Sequence, residues 1–286
     1  MLNMSINSED IMQEIQWFPG HMAKAKRQLN ELLKYLDLLI EVRDARIPMI
    51  SHNSDLGSIL GKKPVIVLLN KVDLADPEVT GKWRAWFREQ QIPVIEVNGK
   101  NGKGVEEIWK IAAEQLGEKK PVRAKRIGVV GIPNVGKSSI LNRLLGIGAA
   151  RTGNTPGVTR GKQWIKYKGF EILDTPGLLP PKIDCRSEGY KLALVGTIRD
   201  EIVPVYDLAL YLLEEFGAGL FAKEAAYPAH LAAEAQLLWF AAKRKFIAKG
   251  GEPDLNRAAG TLLHEFRNGR LSRISLERPP TGESAD

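Results

Sequence analysis

GIPNVGKS (131–138) has the spacing G-x-x-x-x-G-K-[ST]. Its glycines allow backbone N–H groups to wrap a β-phosphate. The Lys137 ammonium can reach the β and γ oxygens, and the Ser138 hydroxyl can meet a magnesium ion. Asn134, Val135, Gly136, Lys137, Ser138 and Ser139 are therefore candidate phosphate-binding positions. The pattern needs a strand before it and a helix after it, and RIGVVG (126–131) and KSSILNRLLG (137–146) have those textures. LDTPG (173–177) follows about forty residues later. Asp174 is placed to hold magnesium through water, and the Gly177 N–H to meet the γ-phosphate and sense its loss. Between them, TPGVTR (155–160) offers Thr159 as a second hydroxyl for the ion.

NKVD (70–73) is a base-reading motif: Asn70, Lys71, Val72, Asp73. Asp73 can accept from both N1–H and N2–H₂ of guanine, a pair of contacts that adenine cannot match. Asn70 can tie this loop to the phosphate loop, and the Lys71 stem can lie over the base. NGKNG (98–102) follows the next apolar run, where amides near Asn98 and Gly99 could meet the guanine oxygen. No N-K-x-D occurs after residue 177. All the parts of a GTP/GDP site are thus present, but the base-reading parts precede the phosphate loop. Each follows a predicted strand, where open α/β sheets bind ligands. A circular permutation gives this order, with GEKKPVRAK (117–125) joining the former termini.

The elements expected to position these residues alternate between strand and helix. Strands are predicted over 36–43, 64–70, 93–97 and 126–131. Helices are predicted over 21–36, 53–60, 77–90, 104–116 and 137–146. QWIKY and FEILD read as a hairpin across Lys168-Gly169. The fold class is α/β: a circularly permuted P-loop GTPase domain with a mostly parallel sheet and helices on both faces. Beyond about 187 the texture becomes Ala/Leu-rich and helical, in 188–202, 231–248 and 255–269, which predicts a small all-α domain. The expected boundaries are an N-terminal extension 1–20, a G domain 21–183, a helical domain 187–278 and a disordered tail 279–286. The turn at 174–180 leads straight into the helical part, so nucleotide state could reposition it.

Apolar residues make up 44% of the 286, enough for a core, and the formal charge of +7 suits a polyanionic partner without proving one. The lone Cys185 excludes an internal disulfide. No run approaches the ~18 apolar residues of a membrane span. MLNMSINSEDIMQEIQ lacks a signal pattern, so a cytoplasmic protein with no membrane partner is expected. KRKFIAKGG (243–251) with Arg257, Arg267, Arg270 and Arg273 could form an RNA-facing surface. The aromatics Trp239, Phe240, Phe246 and Phe266 fit a core better than a stacking platform.

WFPGHMAKAKRQL (17–29), VRDARIP (42–48), NKVDL, GIPNVGKSSILNRL, DTPGLLPP and GGEPDLNRAAGTLLHEFRNGRLSRISLE (250–277) together resemble the YlqF, or ribosome biogenesis GTPase A, family of circularly permuted GTPases. The resemblance runs from about Trp17 to Glu277. It implies GTP hydrolysis in late assembly of the bacterial large (50S) ribosomal subunit. It also implies contacts to the subunit precursor, rRNA and ribosomal proteins, and stimulation by the particle and by potassium. A monomer off the ribosome is expected. Asn134 matches the asparagine associated with a potassium site. Gly99 departs from a small hydroxyl residue common at its position. Leu178 and Leu179 stand where many GTPases carry a water-orienting glutamine. The resemblance assigns catalysis to the histidine matching His21, whose imidazole can orient water at neutral pH. The alternative reading is a nucleotide-dependent RNA-binding scaffold with negligible turnover.

Overall fold

The structure, a computed structural model, describes residues 27, 31, 33–53, 56, 61, 63–117, 123–145, 164–174, 183 and 185–280. The predicted helix at 21–36 and that at 53–60 lie largely outside these residues. The extension 1–20, most of the tail 279–286, the TPGVTR loop and the turn after Asp174 lie outside them as well.

The described residues pack as two compact units. The sheet unit takes those between Phe18 and Val72, between Glu78 and Pro181, and from Glu277 onward. The helical unit takes Asp73–Pro77 and those between Lys182 and Leu276.

Six strands form the sheet: β1 Leu38–Asp44, β2 Val65–Asn70, β3 Val94–Glu96, β4 Lys125–Val130, β5 Trp164–Tyr167 and β6 Phe170–Asp174. Their order is β3-β2-β1-β4-β6-β5. All pairs are parallel except the β5/β6 hairpin. Its turn is Lys168-Gly169, with φ of 46° and 83°. Two left-handed residues suit the right-handed twist of a two-residue hairpin. If strands were counted from β4, the one that feeds the phosphate loop, the order would read 6-5-4-1-3-2. Hydrogen-bonded pairing depends on neighbours in space, so relocating the termini leaves the sheet intact.

Central β1 is buried along its whole length, as a strand covered on both faces must be. It nevertheless carries three charges, and each is paired. Arg43 Nη2 lies 2.6 Å from Glu41 Oε2, and His52 Nδ1 lies 2.8 Å from Glu41 Oε1. Burial pushes the Glu41 carboxyl up, but the Arg43 charge and the His52 hydrogen bond outweigh it and hold it below its ordinary value. The third charge, Asp44, closes the strand and pairs with Arg46 and Lys71.

Among the described residues the helices of this unit include α1 Pro77–Glu89, α2 Glu107–Leu116 and α3 Lys137–Leu144. Proline at the first position of α1 costs no hydrogen bond. Val79, Thr80, Trp83 and Phe87, spaced by helical turns, form its buried stripe. The C-terminal tail returns to this unit. Glu277 Oε2 accepts from Met49 N and Ile50 N at 2.8 and 3.3 Å, and its carbonyl accepts from Trp83 Nε1 at 3.3 Å.

The helical unit is built from α4 Arg186–Leu194, α5 Val205–Leu220, α6 Ala233–Lys243 and α7 Leu255–Arg267. α5 packs against each of the other three. Leu208, Leu212, Leu213, Phe240, Leu262 and Phe266 make the core. Trp239 is half-buried in ring contact with Phe221 and Tyr227. The Asp254 side chain caps α7 by accepting from Arg257 N at 3.0 Å.

Candidate nucleotide site

Because β1, β2, β3, β4 and β6 run parallel, their C-terminal ends share one edge of the sheet. The loops that leave this edge carry NKVD, NGKNG and the phosphate loop. Asp174 closes β6 there, paired in register with Val129, two residues before the phosphate loop begins.

Asn70, at the end of β2, is buried and joins three loops. Its Nδ2 donates to Val135 O at 2.6 Å, and its Oδ1 accepts from Gly99 N at 2.9 Å. The tie expected between Asn70 and the phosphate loop is present, with a second bond to the NGKNG loop. Gly136 makes room for it. Its φ is +96°, and a Cβ there would sit 2.3 Å from Asn70 Nδ2. Gly136 also begins α3, whose first residue is Lys137. Gly136→Ala is therefore expected to break the Asn70–Val135 bond as well as strain the loop. Titration with a fluorescent GDP should give a Kd raised about tenfold or more. An unchanged Kd would show that the tie is not needed.

Gly99 approaches α3 closely: a Cβ would lie 3.0 Å from Ile140 Cδ1 and 3.2 Å from Ser139 Cβ. A side chain at position 99 would require Ile140 and Ser139 to give by a few tenths of an ångström. The amides expected to meet the guanine oxygen are committed elsewhere. Gly99 N donates to Asn70, and Asn98 N donates to Lys103 O at 3.0 Å. The Asn98 side chain accepts from Lys100 N and Asn101 N at 2.9 and 3.1 Å. Asn98 and Gly99 thus build the loop, and Arg143 of α3 clamps it through Lys100 O at 2.5 Å.

The VRDARIP stretch has a role that sequence reasoning did not find. Asp44 is fully buried beside Asn70 in the β1–β2 register. It takes Arg46 Nη2 at 2.8 Å and Lys71 Nζ at 2.9 Å. Burial pushes the Asp44 carboxyl up, but the Arg46 guanidinium and Lys71 ammonium hold it far below the usual carboxylate range. Lys71 adopts a left-handed φ of 62°. Its ammonium is anchored by the Asp44 carboxylate.

Asn134 (φ 62°), Ser138 and Ser139 are exposed, and Lys137 is half-buried. Asp73 is exposed. Thr159, Gly177 and His21 lie outside the described residues. The exposed Ser138 hydroxyl is a hard oxygen donor, the type that Mg²⁺ takes. Three residues of the basic C-terminal set have acidic partners within the helical unit. Lys243 pairs with Glu224 at 2.5 Å, and Arg244 with Glu265 at 2.6 Å. Arg267 pairs with Asp200 at 2.6 Å and donates to the Ala193 and Leu194 carbonyls. Lys245, Lys249 and Arg270 are exposed.

A parallel sheet whose phosphate loop is tied through asparagine to a base-reading loop defines a P-loop GTPase with permuted order. Residues 126–237 match the family model described as 50S ribosome-binding GTPase. Ribosome biogenesis GTPase A of Priestia megaterium is 41% identical, over 94% of this chain and 98% of its own. The Thermotoga maritima protein of that name is 38% identical, over 93% and 95%. Among solved structures, a GDP-bound YlqF matches with a TM-score of 0.68 at 33% identity, over 88% of this chain and 99% of that one. GNP-bound YlqF from T. maritima matches at 0.66 and 33%, over 90% and 100%. The chain belongs to the ribosome biogenesis GTPase A (YlqF) family. It is a guanine-nucleotide-binding GTPase of ribosome assembly. Among the described residues no helix is long and apolar enough to cross a membrane.

Proposed function

We propose that the protein hydrolyses GTP during maturation of the large ribosomal subunit, binding the precursor particle through rRNA and ribosomal proteins in a nucleotide-dependent way. The observation that carries this reading is Asn70, which locks the base-reading, NGKNG and phosphate loops into one unit. Asp73 reads the guanine edge, Lys71 lies along the base, and the 134–139 backbone with Lys137 holds the phosphates. Ser138, Thr159 and Asp174 hold Mg²⁺, which supplies charge neutralisation on the β and γ oxygens when bound. The exposed Asn134 amide offers an oxygen suited to potassium. Gly177 meets the γ-phosphate. Exposed Lys243, Arg244, Lys245, Lys249, Arg257 and Arg270 are candidates for a phosphate-backbone contact from the basic set.

His21 orients the attacking water, the role that the family resemblance assigns to it; the Leu178 and Leu179 side chains carry no hydrogen-bonding group. The test is GTP turnover with and without precursor large subunits, in potassium and in sodium. Turnover should rise with the particle and with potassium. His21→Ala should lose most of the stimulated rate, about 10²-fold or more, with GTP affinity nearly unchanged. Full stimulated turnover in that variant overturns the histidine assignment. Particle binding without any stimulated turnover in the parent protein favours a nucleotide-loaded scaffold.

A further inference from the structure

A carboxylate is only as well placed as the backbone on either side of it. Upstream of Asp73, Asn70 is anchored by Val135 and Gly99, and Lys71 by Asp44. Downstream, Leu74, Ala75 and Asp76 are each held by a different residue near the chain's end. Ile274 N donates to Leu74 O at 3.3 Å. Arg273 Nε donates to Ala75 O at 2.9 Å, and Asp76 N donates to Ser275 Oγ at 3.2 Å.

This segment, 273–275, has neither helix nor strand, so its bonds to 74–76 belong to no regular ladder. It is nonetheless fixed. Ile274 and Leu276 are buried, and the Ile274 side chain lies against Gly219 of α5. Ala75 is fully buried. The piece of chain that begins with Asp73 accordingly packs as part of the helical unit. A loop long enough to wander is pinned residue by residue immediately after its functional carboxylate.

Resting on the reading of Asp73 as the acceptor for the guanine edge, we infer that Arg273 and Ser275 are positioning residues for base specificity: they set where the Asp73 carboxylate meets that edge. Two hydrogen bonds to one carboxylate need both of its oxygens in place, so a small displacement costs the N2–H₂ contact first. Inosine diphosphate lacks that amino group but keeps N1–H and both phosphates. It therefore reports the phosphate site with the second base contact removed.

The experiment measures Kd for GDP and for inosine diphosphate in the full chain. The variants are Arg273→Ala, Ser275→Ala, their combination, and Arg273→Lys, whose ammonium can still reach the Ala75 carbonyl. In the double variant GDP should weaken about tenfold and inosine diphosphate about threefold or less, so the preference for guanine shrinks. Arg273→Lys should restore most of it. Turnover at saturating GTP should be unchanged, with KM raised. Equal weakening of both nucleotides, or no change in either, overturns the inference; Ser275→Ala alone decides if the double variant does not fold. Asp73→Ala separates the two readings. If it leaves the guanine preference intact, the base reading itself fails and the inference with it. If it abolishes the preference while the 273–275 variants keep it, the inference alone fails.

Discussion

Asn70→Ala is expected to raise the Kd for both GDP and GTP about 100-fold, the largest loss of any single change outside the phosphate loop. The residue makes no contact that a shorter side chain could replace. Truncation removes the donor to Val135 O and the acceptor for Gly99 N, both in buried surroundings. Each backbone group left behind costs about 1–3 kcal/mol unless water reaches it. The NGKNG loop and the phosphate loop then lose their common reference. Asn70→Asp is the sharper variant. It keeps the acceptor for Gly99 N but sets a carboxylate oxygen against the Val135 carbonyl. It should fall close to alanine if the phosphate-loop bond dominates, and close to the parent protein if the Gly99 bond does. Calorimetric titration with GDP distinguishes these outcomes, and a parent-like Kd for alanine would remove Asn70 from the site.

Asp44→Asn should destabilise the fold by about 3–5 kcal/mol, because it leaves Arg46 and Lys71 around a neutral amide in a buried place. The thermal midpoint should drop by about 10 °C. The pH dependence has a definite sign. The folded-state pKa of Asp44 lies below its unfolded value. Its stabilisation is therefore fully present above about pH 4 and is lost as pH falls through the lower folded value. The gap between parent and variant in urea should be constant from neutral pH down to about 4 and should narrow below that. A gap that stays constant to about pH 2 would show that the carboxylate is not what holds the two cations. Lys71 should also lose its anchor, so a weaker nucleotide affinity is expected alongside the lower stability.

The phosphate loop and the base-reading loop were legible because their chemistry demands fixed residue types at fixed short spacing. The permutation followed from their order, and the hairpin from a two-residue turn at Lys168-Gly169. What escaped is tertiary. Asp44 and Lys71 meet only because β1 and β2 are neighbours, and no local pattern reports that pairing. The amides near Asn98 and Gly99 read as able to meet the guanine oxygen, and a loop sequence does not show that Gly99 N donates to Asn70 and Asn98 N to Lys103 O. The acidic neighbours of Lys243, Arg244 and Arg267, which are Glu224, Glu265 and Asp200, come from other parts of the helical unit and are not visible in the local sequence. α5 was not singled out among the helical patterns. It is the helix the others pack on, and Leu208, Ala209, Leu212, Leu213, Gly217 and Leu220 form its buried stripe at helical spacing.

The permuted order also sets a timetable. The base-reading strand leaves the ribosome well before the phosphate loop, and Asn70 must wait 65 residues for Val135. Asp76 waits 199 residues for Ser275. At about 5–20 residues per second, that second delay is on the order of 10–40 s of synthesis. Through that interval the loop behind Asp73 lacks its partners. On the inference that residues 273–275 position Asp73, a nascent chain that ends before them is expected to complete the sheet and still hold guanine less tightly.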